Sequence, residues 1–95
     1  MENTERFRQI TQDMANLYEK KNADYGNSFE QSLREFGMVA GVARIGDKFN
    51  RIKNIMDVTN GVKFKPQVTE ETIKDTLIDM ANYCIMLKMW LDKEE

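Results

Sequence analysis

Residues 70–83 read EETIKDTLIDMANY, and their spacing decides the fold. Glu71, Asp75 and Asp79 recur every four residues, a step that stacks side chains along one face of a helix. Asn82 follows Asp79 by three residues and falls within the same arc. Ile73, Leu77, Met80, Cys84, Leu87 and Leu91 alternate four- and three-residue steps as a separate apolar stripe. Thr69 is a good N-cap, and Glu70 and Glu71 suit the positive end of the dipole, so a helix is expected from there to about Asp92. Ile78, Ile85, Met86 and Met89 crowd the edges of the acid face. A helix so nearly apolar all round in its second half is expected to be buried, within the domain or between subunits. Carboxylates on it cost roughly several kcal/mol each unless something positive meets them, so a divalent cation or a basic partner helix is expected opposite.

Upstream, VTNGVKFKPQ at 58–67 carries Asn60-Gly61 and the one proline, Pro66, and reads as a connecting loop. Before it, Met38, Val42, Ile45, Phe49, Ile52 and Met56 keep the same alternation, which predicts a second helix over Met38–Asp57 with that stripe inward. Its other face reads Arg44, Asp47, Lys48, Arg51, a basic ladder with one acid in it. Two arginines and a lysine can grip a polyphosphate, while Asp47 joins a metal cluster or aligns Arg51. A solvated face laced by an Asp47–Arg51 pair explains the same pattern, and spacing does not separate the two.

At the start, Phe7, Ile10, Met14 and Leu17 predict an amphipathic helix over about Thr4–Lys21. NADYGNSF at 22–29 then reads as a tight loop around Gly26, with Asp24 able to initiate the turn. Helical pattern resumes near Glu30 and is interrupted around Gly37. The expected fold is all-α, a compact bundle of three to four helices forming a single domain over residues 1–95.

Composition narrows the chemistry. The chain has no histidine and one cysteine, Cys84, which excludes His-dependent zinc sites, Ser-His-Asp triads and an intrachain disulfide. Oxygen ligands remain, and they suit Mg²⁺ or Mn²⁺. A net charge of −2 gives no basic field for nucleic acid or an anionic membrane. The N-terminus is polar and no apolar run approaches a membrane span, so a cytoplasmic protein is expected. At 95 residues the chain gains by association, which predicts a homo-oligomer.

Three blocks in order, Lys21-x-x-Asp24-Tyr25-Gly26, Arg44-x-x-Asp47-Lys48-x-x-Arg51 and Glu71-x-x-x-Asp75-Thr76-x-x-Asp79-x-x-Asn82-Tyr83, resemble the nucleotide-modification-associated domain family of phages and prophages. That family is similar in turn to the all-helical, MazG-like nucleoside triphosphate pyrophosphatases, which pair acidic helices around magnesium. This chain departs from them, because its second helix offers only Asp47 amid basic residues and its last helix spaces its acids by four rather than three. The resemblance implies a Mg²⁺-dependent pyrophosphohydrolase acting on a deoxy- or modified nucleoside triphosphate. Asp75 and Asp79, with Glu71, would hold the metal, and Asp47 would assist them in catalysis. Arg44, Lys48 and Arg51 would meet the phosphates, Tyr25 and Asn82 the base or sugar, and Lys21 and Asp24 would close the pocket edge. The alternative is a non-catalytic phage accessory module that binds a nucleotide or a protein partner.

Overall fold

The computed structural model describes residues 2–25, 27–55 and 70–93, with the side chains of Asp24, Tyr25 and Glu70 outside that description. Among the described residues four helices follow one another: α1 (Asn3–Tyr25), α2 (Ser28–Phe36), α3 (Met38–Ile55) and α4 (Glu70–Lys93). The chain is all-α, as the periodicities predict. The expected N-cap Thr69, the end of the second predicted helix and the loop at 58–67 lie outside the described residues.

Helix α1 runs four residues past the expected Lys21 and takes Asn22 to Tyr25 into its last turn. Most of the loop predicted over 22–29 is therefore helical, with residues 22–25 closing α1 and residues 28–29 opening α2. Asn27, at φ 61° and ψ 28°, is the left-handed residue that turns the chain into α2. Asparagine tolerates that conformation better than most residues, so the break needs only one such position beside a glycine. At the other end of α2, Gly37 has φ 80° and ψ −169°, a region open to glycine alone, and donates its N–H to the Leu33 carbonyl at 2.8 Å. The interruption expected at Gly37 is thus a corner between two helices.

Helices α3 and α4 form the main packed pair. They run antiparallel: Gly41 lies against Leu87 while Lys48 reaches Asp79, so advancing along one helix retreats along the other. Helix α2 packs on α3 and α1 on α4. A β-carbon at Gly41 would stand 2.8 Å from Leu87 Cδ1, so glycine is what lets the two helices approach. Among the described apolar side chains, those buried are Met14, Leu33, Ile73 and Leu87, with Leu33 fully so. Thr76 is buried with them and returns its hydroxyl hydrogen to the Thr72 carbonyl at 2.9 Å.

The inward stripe expected on α3 is only partly inward. Ile45 and Ile52 are half-buried, but Met38, Val42 and Phe49 are about half exposed. On α4, Leu77, Cys84 and Leu91 are exposed although their stripe-mates Ile73 and Leu87 are buried. Two antiparallel helices touch along one narrow line, and a wide apolar arc leaves residues over on either side of it. Among the described residues no helix is long and apolar enough to cross a membrane.

Candidate functional site

Asp79 is the point where the helices converge. Lys21 of α1 approaches its Oδ1 at 3.4 Å and Lys48 of α3 its Oδ2 at 3.5 Å. The three side chains come from positions far apart in the sequence and leave two cations against one anion. Side-chain exposures of 53% for Lys21, 26% for Lys48 and 31% for Asp79 keep the group in contact with water. Each pair is accordingly weak, and the excess positive charge is available to a solute.

These residues stand at the edge of a cleft of about 250 Å³. Tyr18, Lys21 and Asn22 line it from α1, Ser28 and Phe29 from α2, Lys48 from α3, and Asp79, Asn82, Tyr83 and Met86 from α4. The α4 contributors follow Asp79 at three, four and seven residues, the spacing that places them on its face. Phe29 and Tyr83 form an aromatic pair with ring centroids 5.1 Å apart and planes at 58°. The cleft thus offers ring surface and amide groups beside a net positive edge, a combination that fits a flat, partly polar ligand carrying anionic charge.

The predicted residues divide among three positions. Lys21, Lys48, Asp79 and Asn82 come together in the cleft. Arg44, Asp47 and Arg51 are exposed on α3, flanking Lys48 in sequence but outside that lining, and Glu71 and Asp75 are exposed on α4. The side chains of Asp24 and Tyr25 fall outside the described residues. Among the described residues no three of His, Cys, Asp and Glu gather closely enough to hold a metal ion. Four residues a step along a helix is about 6 Å of rise, so Glu71, Asp75 and Asp79 share a face while remaining spread along it.

Sequence reasoning missed Tyr18, Asn22, Phe29 and Tyr83. A signal existed for part of this set: Tyr18, Lys21 and Asn22 share one face of α1 only if the helix continues past Lys21, and Tyr83 follows Asp79 by four. Phe29 carried none, because its place depends on the corner at Asn27. Beyond the cleft, Glu30 bonds Arg34 at 3.0 Å and Lys93 at 3.5 Å, tying α2 to the end of α4. The Lys93 ammonium, then the Arg34 guanidinium, hold the Glu30 carboxyl below its ordinary value of 4.5.

The family model described as "Nucleotide modification associated domain 1" matches residues 21–91, which include Lys21, Asn22, Lys48, Asp79, Asn82 and Tyr83 of the cleft. No curated protein and no solved structure matches the chain.

Proposed function

The chain belongs to the nucleotide-modification-associated domain family, whose model covers residues 21–91 of its 95, and from that premise we propose that the cleft binds a nucleoside phosphate. The observation that carries this is the convergence of Lys21 and Lys48 on Asp79 beside the Phe29–Tyr83 pair. The lysines meet phosphate oxygens as point charges, and the rings offer the base a face to stack on. A volume of about 250 Å³ lies just under the ~300–1,000 Å³ usual for small-molecule sites, so the nucleoside occupies the cleft and the outer phosphates project from it. Arg44 and Arg51 precede and follow Lys48 by one turn on α3, and further phosphates would extend toward them. Asn82 contacts the base or sugar, and Asp47 aligns Arg51.

The reaction we assign is hydrolysis of a nucleoside triphosphate to the monophosphate and pyrophosphate, with magnesium. The described acids of α4 do not make a metal cage by themselves, since no group of three closes and both oxygens of Asp79 face lysines. Magnesium would instead arrive on the phosphates, where it neutralises charge, and Asp79, Asp75 and Glu71 are the carboxylates on the adjoining face of α4. We propose further that the protein acts as a homo-oligomer. A second reading, a module that binds nucleotide without hydrolysing it, is favoured by one observation: among the described residues no three acids gather closely enough to hold a metal ion.

Pyrophosphate release from a panel of deoxynucleoside triphosphates with Mg²⁺, read beside calorimetry on mono- and triphosphates, tests both. We expect release, tighter binding of triphosphate than monophosphate, and loss of that preference in Lys48→Ala. Binding without release would establish the accessory module. Equal affinity for mono- and triphosphate would remove the lysines from phosphate recognition.

A further inference from the structure

A smaller cavity of about 60 Å³ adjoins the cleft, and Tyr18, Asn22, Phe29 and Met86 line both. On α4 the cleft takes Asp79, Asn82 and Tyr83, and the smaller cavity goes on to Met89, Trp90 and Lys93. Asp79 and its two lysines therefore mark one end of the lined space, with the Phe29–Tyr83 rings further in. The inner end is closed to phosphate, because the Glu30 carboxylate stands in its wall and already holds Lys93 at 3.5 Å. Helix α3 can be read against this axis. With Lys48 opposite Asp79 and Gly41 opposite Leu87, each step forward on α3 is a step back on α4. Arg44 thus stands level with Tyr83, beside the rings, and Arg51 stands level with Thr76, on the far side of Asp79. At about 100° per residue both arginines lie in the same sense from Lys48, about 40° and 60° round, so only their level separates them. Helical Cα–Cβ bonds tilt toward the N-terminus, which starts Arg51 back toward Lys48 and starts Arg44 away from it. Both arginines are exposed, and among the described residues neither has an ion pair or a hydrogen bond.

We infer that a nucleotide lies in the cleft in one direction, its base toward Phe29 and Tyr83 and its phosphates running out past Lys48 to Arg51. Arg51, and not Arg44, then joins the lysines in discriminating the number of phosphates. The inference rests on the nucleotide reading of the cleft and narrows it. Lys21 and Lys48 receive the phosphates at the cleft edge, where Asp79 now stands. Arg51 follows Lys48 by three residues, about 4.5 Å of rise, which the outer phosphates of a triphosphate can cover. Its planar fork can give two parallel hydrogen bonds to the last of them. Asp75 lies beside that level on α4, so the phosphates would arrive there with a divalent cation to offset its charge. A monophosphate is too short to reach either residue.

The test is calorimetry with the mono-, di- and triphosphates of deoxyadenosine and deoxycytidine, on wild type, Arg44→Ala and Arg51→Ala. Ca²⁺ takes the place of Mg²⁺ so that the triphosphates stay intact during the titration. Because both side chains are exposed and unpaired, neither replacement disturbs the packing of α3 on α4. The quantity read is the ratio of triphosphate to monophosphate affinity, which cancels any effect a variant has on the nucleoside end. In Arg51→Ala this ratio should fall roughly tenfold, the size of a lost hydrogen bond to a charged group. In Arg44→Ala it should stay within twofold of wild type, whatever the two affinities do separately. A ratio that falls in Arg44→Ala, or one that holds in Arg51→Ala, would overturn the inference while leaving the nucleotide reading intact. Binding of none of the six nucleotides would overturn both.

Discussion

Asp79 holds a lysine on each carboxylate oxygen, which places it where an anion of the ligand would sit. A phosphate entering the cleft competes with Asp79 for Lys21 and Lys48. The two lysines are 53% and 26% exposed, so the pairs contribute little to stability. Asp79→Asn is therefore expected to change unfolding free energy by no more than about 1 kcal/mol, measured by urea denaturation. Without magnesium the variant should bind inorganic phosphate more tightly than wild type, because two cations lose their internal partner. A loss of several kcal/mol would instead mark the group as a structural ion network, and the cleft would lose its claim on phosphate.

Two glycines of α3 separate packing from helix propensity at the scale of the element. A β-carbon at Gly46 would meet nothing within 4 Å, whereas one at Gly41 would press on Leu87 at 2.8 Å. Gly46→Ala should raise stability by roughly 0.5–1 kcal/mol through propensity alone. Gly41→Ala gains the same term but must displace a buried leucine, a cost of about 1–3 kcal/mol, so a net loss is expected. Thermal melts of the two variants side by side give the comparison, and two variants of equal sign would mean that α3 and α4 are not held at this spacing. The junction of α2 with α4 has a pH dependence of its own. Lys93 and Arg34 lower the Glu30 pKa, so the stability it lends is present above 4.5 and is lost as pH falls through the lowered folded value. The melting temperature of wild type should accordingly fall more steeply than that of Glu30→Gln below pH 4.5, and added salt should shrink the difference. Parallel curves would show that the contact does not hold the helices.

For the whole molecule, the unspent apolar surface matters most. At about 100° per residue, Met38, Val42 and Phe49 lie to one side of Gly41 on α3, and Leu91, Cys84 and Leu77 lie in the same rotational sense from Leu87 on α4. In an antiparallel pair equal rotations lead to the same side, and Asp79, Asn82 and Tyr83 lie in the opposite sense. The α3–α4 pair therefore turns an apolar slab away from the cleft. Two such slabs facing each other would complete a four-helix core, so a dimer is expected by light scattering at tens of micromolar, with Phe49→Glu shifting it to monomer. A wild-type monomer at that concentration would refute it. The all-α class, the corner at Gly37 and the helical face bearing Asp79 and Asn82 were legible in the sequence, because periodicity and glycine chemistry act between neighbours in the chain. Only the tertiary structure decided that Lys21 and Lys48 meet Asp79 and that Phe29 meets Tyr83. It alone also placed half of the α3 stripe outside. Those outcomes depend on which line of each helix touches another, and a helix with apolar residues over a wide arc permits several such lines, among which packing chooses.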